Sequence, residues 1–123
     1  MKSKRAKATD IPLSVKKKVF MRDHGRCVVC GNSYNVMPNA HILSRAHSGR
    51  GIETNVVTLC TELTPNRCHR RFDFGTKKER EQILQIITNY MKSIYGDNWC
   101  IEDQKYDNWN EEDLVYKKWH KNT

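Results

Sequence analysis

The apolar positions along the chain fall into segments of two different periods. Over residues 13–23, Val15, Val19 and Phe20 recur at helical spacing while Lys16, Lys17 and Lys18 fall on the other side. This predicts a short helix that stops at His24-Gly25, where glycine tolerates a left-handed terminating turn. A knuckle, RCVVCGNS, comes next. Between residues 36 and 60 the helical period disappears, and two short runs flank a polar loop. They predict one strand over about 39–43 and a second over the β-branched run 56–59. The loop SRAHSGRGIE between them carries the turn formers Ser48, Gly49 and Gly51. A short helix is predicted over about 68–72, broken by Phe74-Gly75. Thr76-Lys77-Lys78-Glu79 reads as a capping box, and Ile83, Ile86, Ile87, Tyr90, Met91 and Ile94 then form a core-facing stripe ending at Gly96. A last short helix is predicted over 110–119. The order is that of a small α+β domain with flanking helices at both ends.

Length and composition narrow this further. A chain of 123 residues reads as one domain, here a flexible basic arm (1–10), a core (22–75) and a helical C-terminal extension (76–123). With 37% hydrophobic and 29% charged residues the core is adequate rather than generous, so a cross-link would help it. No stretch approaches the roughly 18 apolar residues of a membrane span. The basic start MKSKRAKATD has no apolar run behind it, so it is not a secretory signal, and a soluble, cytoplasmic protein is expected. The net charge of +8 is uneven: nine Lys/Arg against two acids over 1–30, nine against five over 31–96, four against seven thereafter. A basic front and middle suit a polyanionic partner.

The five cysteines of such a chain favour metal over disulfides. Cys27-x2-Cys30 and Cys60-x7-Cys68 provide four thiolates, the set a closed structural Zn²⁺ site takes, and Cys100 is left over as a small buried hydrophobe. A redox Cys-x-x-Cys would want a strand before the motif, and here the preceding element is helical.

His41, Asn55 and His69 lie fourteen positions apart each time. They fall on the first strand, at the start of the second and on the short helix, so a ββα unit would bring both histidines to one groove. PNAHILSR, GIETNVVTLC and CHRRFD, within about residues 22–75, together resemble the HNH endonucleases in the variant with a four-cysteine zinc site. With the tail YMKSIYGDNWC…NWNEEDLVYKKW the chain is most similar to small phage and prophage members. The resemblance implies a ββα-metal fold and hydrolysis of DNA phosphodiesters. It implies His41 as general base, Asn55 as a positioning residue, and His69 as ligand of a catalytic divalent metal (Mg²⁺, Mn²⁺, Ni²⁺ or Zn²⁺). Through the phage members it also implies a bacterial cytoplasm and partners such as the terminase and portal.

Many HNH enzymes carry an acid or histidine directly before the base, and this chain has Ala40. Asp73, one helical turn after His69, is the favoured substitute ligand, with Asn39 a weaker one and pairing with Arg70 the plainer role for Asp73. Arg45 and Arg50 in the loop are candidates for phosphate contact. Arg71, Lys77 and Lys78 read first as a solvated basic face, and His24 and His120 as surface residues. His47 is open between substrate contact and a polar loop. Two further classes stay in view. One is a zinc-stabilised DNA-binding module without catalysis, which Ala40 favours; the other is a protein-interaction zinc knuckle, which leaves His41, Asn55 and His69 unexplained.

Overall fold

A computed structural model describes residues 2–107. The elements run α1 (Lys4–Thr9), α2 (Leu13–Arg22), β1 (Val36–His41), β2 (Val56–Cys60), α3 (Cys68–Phe74) and α4 (Lys77–Tyr95), a small α+β arrangement. The predicted helix over 110–119, and His120, lie outside the described residues.

The strands pair antiparallel with Val36 opposite Cys60 and His41 opposite Val56. A register shift between Met37 and Ala40 marks a bulge at Pro38-Asn39, where an edge strand tolerates a residue without an amide hydrogen. The first strand therefore begins and ends earlier than the 39–43 of the sequence reading. All five residues of β2 are buried, so both of its faces are covered. Val57 and Leu59 join Ala40, Ile42, Ile83, Ile87, Met91 and Trp99 in the main core cluster, which sets α4 against this face. Val56 and Thr58 point the other way by strand alternation, towards α2, which packs on both strands.

α2 ends where His24 and Gly25 take positive φ angles of 56° and 63°. α4 opens with the anticipated capping box, Thr76 and Glu79 each satisfying the other's backbone N–H, and it ends at Gly96. Its buried stripe is narrower than predicted. Ile83, Ile87 and Met91 are inside, whereas Ile86 and Ile94 are 43% and 40% exposed. With only one side of the helix against the sheet, residues three positions off the i, i+4 line fall at its rim.

Two segments differ from the sequence reading. Residues 1–10 were expected as a flexible arm, but Lys4–Thr9 is helical. Ser3 caps it by accepting the Ala6 N–H at 3.1 Å, and Thr9 is almost fully buried. Among the described residues, the extension beyond α4 carries a single 3₁₀ turn, Ile101–Gln104. That segment instead braces the inter-strand loop. Gly49 bridges to Lys105, Tyr106 N–H donates to Ser48 O at 2.7 Å, and Trp99 Nε1–H donates to Thr54 O at 2.9 Å. Among the described residues, no helix is long and apolar enough to cross a membrane.

Candidate functional site: a four-cysteine centre beside a histidine groove

The knuckle after α2 and the turn between β2 and α3 bring Cys27, Cys30, Cys60 and Cys68 together, their sulfurs all within 4.8 Å of one another. Cys30 Sγ and Cys60 Sγ stand 3.8 Å apart. A tetrahedral zinc with Zn–S bonds of about 2.3 Å needs S···S edges of about 3.8 Å, so the four sulfurs suit one ion. Backbone amides already point at them: Cys30 N–H donates to Cys27 Sγ at 3.5 Å and Cys68 N–H to Cys60 Sγ at 3.2 Å. The Cys27 thiol is pushed down to about 4 by its hydrogen bond with Cys68, whose own thiol is correspondingly raised. The set can hold a metal ion such as zinc. It would cross-link the end of α2, β2 and the start of α3, the support the modest core calls for. Cys100 lies outside the set, its thiol raised by burial.

Next to this centre is an open groove of about 840 Å³. It is lined by His41 from the end of β1, His69 and Asp73 from α3, and Arg45 and His47 from the loop, with Lys77 and Arg80 from α4 along the same wall. His69 Nε2 and Asp73 Oδ2 are 3.2 Å apart, one helical turn separating them. Two donors around one divalent ion at about 2.0–2.2 Å are about 3 Å apart when cis, so this pair fits an ion. Asn39 lines the groove too, and its buried Oδ1 accepts no hydrogen bond from the described residues. Ala40, fully buried in the core, points away from the groove and offers no ligand.

His41 is half-buried. Burial pushes its imidazolium below the ordinary 6.5, a bond to the Thr9 carbonyl opposes that, and the Arg45 charge adds to the lowering. The Thr9 carbonyl lies 2.7 Å from His41 Nε2.

Asn55 does not line the groove. It is fully buried behind it and ties the loop shut. Its Oδ1 accepts Leu43 N–H at 2.8 Å, while Nδ2 donates to Leu43 O at 3.1 Å and Arg50 O at 2.8 Å. A Cβ on Gly49 would lie 1.7 Å from Leu43 O and 2.9 Å from Asn55 Nδ2, so the loop closes on Asn55 only with glycine there.

The two loop arginines part company. Arg45 lines the groove, its guanidinium ion-paired with Asp10. Arg50 is turned away, donating to Asp103 O at 2.7 Å and Gln104 O at 3.4 Å, and so serves as a tether to the C-terminal segment rather than a wall of the groove. His47 accepts or donates to Ser44 Oγ at 2.7 Å, at the groove's exposed rim. Arg70 pairs with Glu62 at 3.3 Å, which leaves Asp73 to His69.

Sequence reasoning missed Thr9, Asp10 and Arg80 at this site. Arg80 lies within the helical pattern of α4, but nothing local marks Thr9, whose role depends on where α1 docks. It also missed Asp23, buried with Arg22 between α2, β2 and α4. No family model, characterised protein or solved structure matches the chain.

Proposed function

We propose that the protein is a metal-dependent endonuclease of the HNH kind, hydrolysing phosphodiester bonds in DNA. One observation carries the reading: His41 and the His69–Asp73 pair share one groove with Arg45, Lys77 and Arg80, beside a separate four-cysteine centre. A half-buried imidazole held neutral near physiological pH is suited to act as general base. Arg45, Lys77 and Arg80 outnumber the acids Asp73 and Glu81 along the groove, and the +8 net charge favours approach of a polyanion.

In this scheme His41 takes a proton from a water molecule. The water oxygen attacks phosphorus, and the bond to the 3′ oxygen breaks with its electron pair on that oxygen, which is then protonated from solvent. A divalent ion at His69 and Asp73, with the unpartnered Asn39 Oδ1 close by, would offset negative charge on the phosphate and on the leaving oxygen. Arg45 and the α4 cations orient the phosphate. Asn55 acts one step removed, fixing the loop that carries Arg45.

The test is incubation of the purified protein with duplex DNA across Mg²⁺, Mn²⁺, Ni²⁺ and Zn²⁺, with bound zinc measured in parallel. Cleavage is expected with at least one metal, and His41→Ala is expected to lose it with bound zinc unchanged. General-base removal typically costs about 10²–10⁴-fold in rate, so undiminished cutting by that variant would remove His41 from the role. A second reading, a zinc-stabilised DNA-binding module without catalysis, is favoured by the sparse ligand set, in which His69 and Asp73 are the one close histidine–carboxylate pair among the described groove residues and Ala40 is turned into the core. It predicts a gel shift with no cutting in any metal.

A further inference from the structure

The helix α1 contacts the candidate reaction centre at several independent points. Arg5 donates to Ser48 Oγ at 2.9 Å and to Arg45 O at 2.6 Å, clamping the helix to the inter-strand loop. Ala8 O accepts Gly51 N–H at 2.9 Å. Asp10, ion-paired with Arg45, fastens the exit of the helix to the same loop. Thr9, only 1% exposed, sits between these anchors and puts its carbonyl 2.7 Å from His41 Nε2. A chance contact of a surface arm would not bury its end or use so many partners.

We propose that α1 is a working part of the catalytic centre, and that the Thr9 backbone carbonyl is a positioning group that sets the tautomer and orientation of His41. A carbonyl oxygen can only accept, so Nε2 must carry hydrogen. In the neutral ring the lone pair is then on Nδ1, which makes no hydrogen bond among the described residues. Nδ1 is therefore the nitrogen that receives the proton: a bond from water hydrogen to Nδ1 forms as the O–H bond breaks. As the ring gains charge, the Nε2–H···O=C bond becomes charge-assisted and stronger, so the carbonyl stabilises the state that follows proton transfer more than the one before it. The inference rests on the reading of His41 as general base.

The structure also supplies a way to separate α1 from the site. A Cβ on Gly51 would lie 1.9 Å from Asp10 O and 2.9 Å from Ile11 Cα, so Gly51→Val pushes the helix exit away while leaving the four-cysteine centre untouched. Two measurements on full-length, zinc-loaded protein decide the matter. In ¹⁵N-histidine-labelled wild type above neutral pH, long-range ¹H–¹⁵N correlation is expected to show His41 as the Nε2–H tautomer; an Nδ1–H tautomer overturns the proposal. In Gly51→Val, amide-exchange protection at Ala8 and Thr9 is expected to fall and His41 to become a tautomer mixture. Its kcat for a DNA duplex is expected to drop on the order of 10²-fold, the scale of a misplaced reacting group, with KM little changed. Wild-type kcat in a variant whose α1 amides have lost protection overturns the positioning role, and so does a fall in DNA affinity alone. Should the variant fail to retain zinc, the wild-type tautomer decides on its own. A His41→Ala protein that still cuts would sink the general-base reading while leaving the tautomer result standing. An Nδ1–H tautomer with an inactive His41→Ala does the reverse.

Discussion

Asp23→Ala is expected to be the most destabilising single change outside the cysteines. The Asp23 side chain is fully buried and accepts four hydrogen bonds: from Arg22 Nε at 2.7 Å, Arg22 Nη2 at 3.1 Å, Thr58 N–H at 2.8 Å and Tyr90 O–H at 2.6 Å. Through them α2, β2 and α4 meet at one carboxylate. Truncation leaves the Thr58 amide without its acceptor inside β2, and leaves the largely buried Arg22 without its counter-charge. Losing one partner of a buried pair typically costs about 3–5 kcal/mol. Arg22 keeps acceptors at Glu53 O (2.6 Å), Val56 O (2.7 Å) and Tyr95 Oη (3.2 Å), which argues for the lower end, about 3 kcal/mol. Against a total of about 5–15 kcal/mol this is a large fraction of the stability. Urea unfolding at fixed zinc, followed by circular dichroism, should show the midpoint fall with the slope unchanged. Asp23→Asn, which keeps an acceptor for Thr58, should lose distinctly less. A loss below about 1 kcal/mol for Asp23→Ala, the range of an exposed ion pair, would refute the assignment of this carboxylate as the junction of three elements.

Chelation should release one zinc per chain from the four-cysteine set and collapse the cooperative melt, since such sites contribute about 10–16 kcal/mol in isolated fingers; an unchanged melt after metal analysis shows no zinc would contradict it. Asn55→Ala should destabilise by about 1–3 kcal/mol, because the partly buried Leu43 N–H loses its acceptor and two carbonyls lose a donor. Thermal denaturation reads this, and an effect within error would mean that the loop closes without Asn55. Asp73→Ala should move half-maximal cleavage to higher metal concentration, and an unmoved titration would return Asp73 to a structural role. The pH dependence follows from His41. Its folded value lies below the ordinary 6.5, so the unfolded chain takes up a proton there that the folded chain resists. The stabilisation from this group is complete above 6.5 and fades as pH falls below it, and the acid limb of kcat/KM, which reports the free protein, should also lie below 6.5. An acid limb above that value would assign the limb to another group.

By itself the sequence determined what local chemistry can determine. The spacing of Val15, Val19 and Phe20, the capping box at Thr76 and the β-branched run before Cys60 each specify an element from neighbouring residues alone, and each element is present. The cysteine pairs also read correctly as one group, because Cys-x2-Cys spacing and a strand-to-helix turn constrain where thiols can meet. The i, i+4 relation of His69 and Asp73 needed only a helix to bring them within 3.2 Å. What only the tertiary structure decided depends on partners far along the chain. Arg45 and Arg50 are alike in sequence, yet one lines the groove and the other is taken by carbonyls more than fifty residues away. Ala40 is a missing ligand only if position 40 faces the groove, and strand pairing turns it into the core. The first ten residues show charge and no apolar run, the signature of an arm, because the contacts that order α1 are made by polar side chains, Ser3, Arg5 and Asp10, and by backbone carbonyls. Backbone groups are the same at every position of a sequence. Only folding decides which one, here that of Thr9, comes to lie against His41.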